Sequence, residues 1–194
     1  PQDASQYRTP GGWEKFISRE EVFKVKGQPD VKLSLRSTRH GPVVSDAQKQ
    51  YGQVIDTQKY ALALRWAALD TDNRTVEAGL KANGAHSVQQ LFEAFSGYHS
   101  PMQSIVAADV QGHIGFKAAG KVPVRAADHD LRGVAPALGW DARYDWQGWL
   151  SFEQTPQDDG AARGFVATAN QKVTAPDYAH FLTQDWSLPY RYQR

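Results

Sequence analysis

Val31-Lys32-Leu33-Ser34-Leu35-Arg36 is the stretch of this chain that decides its fold class. Apolar and polar side chains alternate along it with a period of two, which is expected for a strand with one buried and one solvated face. A second apolar segment, Val22–Lys26, precedes it across the turn-like sequence Gly27-Gln28-Pro29-Asp30. The two segments predict a β-hairpin, which is the unit of an antiparallel sheet.

Further strands are predicted downstream of this hairpin. Tyr60–Trp66 repeats the alternation with larger side chains, and Gln103–Ala108 and His113–Ala118 flank a tight turn at Asp109–Gly112. An apolar segment near the end, Phe165–Ala167, predicts one more strand.

Two segments have the spacing of helices instead. Apolar residues recur every three to four positions from Val88 to Phe95, and Ser87 with Gln90 forms a capping box, so we predict a helix over about Ser87–Ser96. A shorter helix is predicted near Val76–Lys81. The whole pattern predicts an α+β fold, largely antiparallel sheet with few helices.

Residues 121–155 have no clear periodicity and are rich in proline, glycine and aromatic residues. So long a loop in a compact domain indicates packing against a large neighbouring surface. No repeat, low-complexity tract or linker divides the sequence, so we expect residues 1–194 to be a single piece of one domain.

Composition excludes several classes of function. The net charge is +1 and the basic residues are scattered, so neither a nucleic acid nor an anionic membrane is an expected partner. The sequence contains no apolar run of 18 residues, which argues against a membrane-spanning helix. The absence of cysteine excludes disulfides and thiolate chemistry.

Asn170 is the residue best suited to chemistry. It ends the segment Gly164-Phe165-Val166-Ala167-Thr168-Ala169-Asn170, where a strand could hold its carboxamide rigidly at a sheet edge. Such an N–H donor suits a developing oxyanion. The alternative is an Asn that caps a turn by bonding its own backbone.

Four segments, in this order, resemble the penicillin acylase family, which includes acyl-homoserine lactone acylases. They are Thr38–Val44, Ala108–Phe116, Gly148–Glu153 and Gly164–Asn170. The resemblance implies the central part of a β subunit within a four-layer αββα N-terminal nucleophile hydrolase fold. Family members act through an amino-terminal nucleophile, usually Ser, uncovered by self-cleavage, whereas this chain begins with Pro1.

The resemblance also implies partners and a location. The chain would join an α subunit and the remainder of the β subunit, in the bacterial periplasm or after export, and would act with them on a small acyl amide. Alone it should be inactive. A noncatalytic β-rich binding or scaffold domain, with its aromatic side chains lining a groove, is the alternative.

Specific site residues follow from the resemblance. Asn170 matches the side-chain oxyanion donor, and Arg194 matches an arginine that orients the nucleophile and holds Asn170; Arg191 is the alternative. Met102, Gln103 and Ile105 would line the acyl pocket. His40 suggests a general base, but a structural role is favoured because the family's base is its α-amine.

No cofactor is required by this chemistry, but several family members bind a structural calcium. The matching loop would offer the backbone carbonyl of Leu131, next to Asp128-His129-Asp130. Asp177 and Asp185 are candidates for a further carboxylate ligand. Oxygen ligands of this kind suit Ca²⁺.

Overall fold

A computed structural model describes residues 3–193 of the chain. The chain divides into two compact units. The first contains the residues through Leu69 and the segment Pro136–Asp145; the second contains Asp70–Ala135 and the residues from Trp146 onward. Among residues 3–193, no helix combines the length and the apolar character needed to cross a membrane.

Antiparallel pairs account for all of the strand pairing in the described part of the chain. The strands are β1 (Gln6–Thr9), β2 (Gly12–Lys15), β3 (Ile17–Phe23), β4 (Val31–Thr38), β5 (Gly41–Pro42), β6 (Gln103–Ala108), β7 (Ile114–Ala119), β8 (Pro123–Arg125), β9 (Trp146–Trp149) and β10 (Gln157–Asp158). They form the sheets β1-β2, β3-β4-β5, β10-β7-β6 and β8-β9. The α-helices are α1 (Thr75–Ala82) and α2 (Val88–Ala94). The predicted α+β class is therefore confirmed.

Short segments of 3-10 helix complete the regular structure. They lie at Val44–Asp46, Lys49–Gln53, Ala67–Leu69, Phe95–Gly97, Ala142–Tyr144 and Pro189–Arg191. Two of the short strands, β8 and β9, fall inside the predicted loop 121–155. That segment is consequently less irregular than its sequence indicated.

The hairpin predicted around Val31 is the centre of the first unit. β3 and β4 pair from Ile17 opposite Ser37 to Phe23 opposite Val31. The first strand ends at Phe23, earlier than predicted, because the N–H of Gln28 already bonds the carbonyl of Val25 in a turn. The hairpin is confirmed, with a longer connection.

The prediction of a strand over Tyr60–Trp66 is wrong. Within residues 3–193, this segment forms only one isolated bridge, between Ala63 and Val43. The N–H of Leu62 bonds the hydroxyl of Ser45, so a side chain takes the place of a strand neighbour. Gly41 permits the close approach, since a Cβ there would lie 2.3 Å from the carbonyl oxygen of Leu64.

The second unit is built on β7, which lies between β6 and β10. Five of its six residues are buried, and Phe116, Ala118 and Ala119 belong to the apolar core. Helix α2 begins at the predicted cap, where the Ser87 hydroxyl accepts from the N–H of Gln90. It packs directly over Gly115, whose missing side chain leaves room for the helix.

Candidate active site

Asn170 lies in the second unit, in a bend and not at the end of a strand. The prediction of a strand over Phe165–Ala167 is wrong, because these residues pair with no strand among residues 3–193. Just after them, the N–H of Ala169 bonds the side chain of Gln171. Asn170 itself has a φ of 68°, in the left-handed region that Asn tolerates better than most residues. Its side chain is exposed.

Arg191 holds the carboxamide of Asn170. The 3-10 turn Pro189–Arg191 presents this arginine, whose Nη2 donates to Asn170 Oδ1 at 2.7 Å. The same nitrogen donates to the carbonyl oxygen of Ala169 at 2.8 Å. Because the amide oxygen is occupied by a cation, the Nδ2 hydrogens are the part of Asn170 left to donate to another group.

The sequence left two arginines as candidates for this role. Arg191 is the one that contacts Asn170 in the structure, whereas Arg194 lies outside the described residues and its role stays a prediction. Sequence spacing could not distinguish them, because they stand only three positions apart near the end of the chain.

Gln171 is a residue of this bend that the sequence did not single out. It is 8% exposed, and its Oε1 accepts from the N–H of Ala169 at 2.7 Å. Two residues before Asn170, the hydroxyl of Thr168 is buried without a hydrogen-bond partner among residues 3–193. The bond between Gln171 and Ala169 therefore fixes the bend across Asn170.

The predicted acyl-pocket residues lie together at the start of β6. Gln103 and Ile105 point to one face of the strand, and Met102 precedes it with 40% of its surface exposed. Gly120 lies against Met102, because a Cβ there would be 2.8 Å from the Cα of that methionine. No hydrogen bond in the described part of the chain joins these residues to Asn170.

A cleft of about 1090 Å³ opens elsewhere in the second unit. Helix α2, strand β7 and the segment 152–159 line it, and it contains none of the predicted site residues. The substrate-binding predictions for Met102, Gln103 and Ile105 therefore receive no support from this cleft.

The loop predicted to bind calcium is closed by its own hydrogen bonds. The Leu131 carbonyl accepts from the N–H of Val134 at 3.0 Å. His129 is 5% exposed, and its Nδ1 accepts from the N–H of Arg132. A carbonyl oxygen has a second lone pair, so Leu131 retains the capacity to bind a cation, and the calcium site stays a prediction.

A second group of possible ligands lies elsewhere in the same unit. Asp70, Asp72 and His99 each offer one possible ligand atom, and these three atoms lie within 4.8 Å of one another. Lys121 Nζ already donates to Asp72 at 3.2 Å, and it lowers the pKa of that carboxyl below its ordinary value. The lysine thus supplies positive charge where a metal ion would.

His40 belongs to an ion-pair cluster in the first unit. Its Nε2 lies 2.9 Å from Asp145 Oδ1, and Arg39 donates to both oxygens of the same carboxylate. Burial raises the pKa of Asp145, but the hydrogen bonds from Arg39 and His40 outweigh it and lower the pKa. This engagement matches the structural role that the sequence favoured for His40.

Comparison with known proteins gives a consistent result. The family model described as penicillin amidase matches residues 1–194. An acyl-homoserine lactone acylase QuiP from Pseudomonas aeruginosa is 31% identical over 192 residues, covering 97% of this chain and 22% of the relative. A penicillin acylase 2 proenzyme from Pseudomonas sp. strain SE83 is 30% identical over 193 residues, covering 100% of this chain and 24% of the relative.

A solved structure is similar over nearly the whole chain. The thermostable penicillin G acylase from Alcaligenes faecalis matches with a TM-score of 0.78 and 28% identity, covering 98% of this chain and 32% of that one. The match confirms the N-terminal nucleophile hydrolase fold that the sequence indicated. This chain spans about a fifth to a quarter of the length of the curated relatives.

Proposed function

Because this chain belongs to the penicillin amidase family, we propose that it is part of an enzyme that hydrolyses linear acyl amides through an acyl-enzyme. Family membership favours this function over a noncatalytic scaffold domain. The chain contributes an oxyanion donor, and the nucleophile comes from a segment outside residues 1–194.

The contact between Arg191 and Asn170 is the observation that carries the proposal. A guanidinium remains charged at any working pH, so it holds the amide oxygen without titrating itself. The amide is then oriented with its N–H group available, which is the arrangement needed to stabilise negative charge on a carbonyl oxygen. The positive charge of Arg191, 2.7 Å from Oδ1, also polarises the amide and strengthens its N–H as a donor.

The reaction has two steps. The nucleophile's hydroxyl attacks the amide carbonyl, its own α-amine takes the proton, and the C–N bond breaks as the amine leaves with that proton. Water then attacks the acyl-enzyme and releases the carboxylic acid. Both steps pass through a tetrahedral intermediate whose oxygen carries the charge, so one donor serves both.

The names of the relatives support a proposal for the substrate class. Proteins named acyl-homoserine lactone acylase and penicillin acylase both match over almost the full chain, which supports a substrate with an acyl group joined to a β-lactam nucleus, a homoserine lactone or a related amine. Met102, Gln103 and Ile105 would contact the acyl chain. The α subunit and the rest of the β subunit would complete the pocket, in the periplasm or after secretion.

Substitution of Asn170 by Asp in the full-length enzyme tests the proposal. Asp retains the shape of the side chain, tolerates the positive φ and keeps a bond to Arg191, but it has no N–H to donate. We expect kcat to fall by about 10²–10³-fold with little change in thermal stability. Asn83→Ala, at the end of α1, is the matched control. Full turnover by the Asn170→Asp enzyme would refute the assignment.

A further inference from the structure

Arg125 carries a buried positive charge whose hydrogen-bonding capacity is largely unused. This residue ends strand β8, in the second unit. Its Nε and Nη1 atoms are both buried and have no hydrogen-bond partner among residues 3–193. The side chain also forms no ion pair with any of these residues.

Such an arrangement is energetically unfavourable unless a partner is present. Burial lowers the pKa of the Arg125 guanidinium, yet an arginine does not lose its proton in proteins. The charge therefore stays, together with N–H donors that water does not reach. Buried charges in folded proteins are normally paired and hydrogen-bonded.

Other arginines of the chain show the usual solution. Arg36 donates through Nε and Nη2 to the two oxygens of Asp46, and Arg39 donates through two nitrogens to Asp145. Both of these arginines are paired although they are partly exposed. Arg125 has buried Nε and Nη1 atoms but no carboxylate partner among residues 3–193.

The loop that follows β8 is folded closely against this guanidinium. Gly133 has a φ of 81°, and a Cβ at this position would lie 2.6 Å from Arg125 Nη2. The loop is held by the bond from the N–H of Arg132 to buried His129. A glycine and a closed loop thus keep the guanidinium in a fixed place, which is the arrangement of a preorganised binding group.

We propose that Arg125 binds a carboxylate supplied from outside the described residues. A carboxylate matches the guanidinium in charge and in hydrogen-bonding geometry. One source is an Asp or Glu side chain in another part of the larger enzyme, and this source rests on the proposed function. The other is a free small carboxylate, with the same chemistry at the same nitrogens.

Thermal unfolding of the full-length wild type, Arg125→Lys and Arg125→Met proteins tests the proposal when it is measured in acetate, so that a carboxylate from either source is available. With a carboxylate partner, the lysine keeps part of the attraction, so the Tm falls from wild type to Arg125→Lys to Arg125→Met, with a total shift of at least about 2 °C. Without one, an unpaired charge is removed by Met, and Arg125→Met is as stable as Arg125→Lys or more stable. That order would overturn the proposal. Arg19→Met, at an exposed site, is the control.

Acetate separates the two sources. If a free carboxylate is the ligand, acetate raises the Tm of the wild type above that in chloride of equal ionic strength, and it does not raise that of Arg125→Met. If an acidic side chain is the ligand, the stability order holds and acetate has no such effect. These measurements do not depend on turnover, so they can fail while the Asn170→Asp test succeeds.

If a variant does not fold, a crystal structure of the wild-type enzyme tests the proposal instead. A carboxylate oxygen within 3.5 Å of Arg125 Nε or Nη1 would support the proposal. Contacts to water or backbone carbonyls alone would overturn it.

Discussion

Substitution of Lys117 by Met gives a stability effect whose size and pH dependence both follow from the structure. Lys117 is 1% exposed on the central strand of the second unit. Its Nζ donates to the carbonyls of Phe152 and Thr155, at 2.6 and 3.2 Å, and to Oε1 of Gln157 at 3.1 Å. Met retains the volume of the side chain and removes all three bonds.

The expected loss comes mainly from one of these acceptors. The Phe152 carbonyl also accepts from the N–H and the hydroxyl of Thr155, and Gln157 is exposed to water. The buried Thr155 carbonyl loses its side-chain donor, which costs about 1–3 kcal/mol for a buried group left without a partner. Relief from burying the charge offsets part of this, so we expect Lys117→Met to lose about 1–2 kcal/mol at pH 7.

The pH dependence provides the sharper test. Burial lowers the pKa of Lys117, against a smaller opposing effect of Glu153. Between this lowered pKa and the ordinary value of 10.5, the unfolded chain binds more protons than the folded one, so the free energy of unfolding rises with pH. The Met variant lacks this contribution. The difference between wild type and variant must therefore grow as the pH approaches 10.5.

Urea titrations followed by tryptophan fluorescence, at neutral pH and at two alkaline values, measure this difference. All other titrating groups are present in both proteins, so their contributions to the pH dependence of unfolding cancel when the two free energies are subtracted. A difference that stays constant or shrinks as the pH rises would refute the reasoning.

Two further predictions concern acid stability and packing. Burial raises the pKa of Asp145, but the hydrogen bonds from Arg39 and His40 lower it by more. The wild type should therefore be more stable than Asp145→Asn at pH 7 and should lose this advantage as the pH falls below 3.8. Equal urea midpoints of the two proteins at pH 7 would contradict this. Gly115→Ala should destabilise by about 1–3 kcal/mol, because the new Cβ would lie 2.8 Å from the ring of Phe92. Gly79→Ala, in α1, should stabilise by about 0.5–1 kcal/mol, because apart from the backbone of its own helix and its chain neighbours no atom lies within 4 Å of the new Cβ. Thermal unfolding that moved both variants in one direction would disprove the packing argument.

The sequence correctly predicted the elements whose caps and turns are hydrogen-bonded by residues close to them in the chain. Helix α2 could be predicted because its cap is encoded three residues apart, in Ser87 and Gln90. The β6–β7 hairpin could be predicted because Asp109–Gly112 forms its own turn, with the N–H of Gly112 bonding the Asp109 carbonyl.

Elements that depend on distant partners were predicted poorly. Tyr60–Trp66 has a strand pattern, but its bonds go to Ser45 and to a short bridge, which no local sequence reveals. The segment before Asn170 also has an apolar strand pattern, but it pairs with no strand among residues 3–193.

The candidate site was predictable in type but not in its details. Asn170 stood out as an amide after an apolar run, and the family resemblance gave it a role. The choice of Arg191 required the 3-10 turn Pro189–Arg191, which aims its guanidinium back at Asn170. The unpaired nitrogens of Arg125 could be found only once burial was known.

The coupling between Asn170 and Arg191 tests the central claim most directly. In the full-length enzyme, Asn170→Gly removes the donor while accepting the positive φ, and Arg191→Met removes the group that orients it. If Arg191 acts through Asn170, each change lowers kcat and the double variant is no slower than Asn170→Gly alone. Unaffected turnover in Arg191→Met, or two losses that multiply in the double variant, would contradict the account.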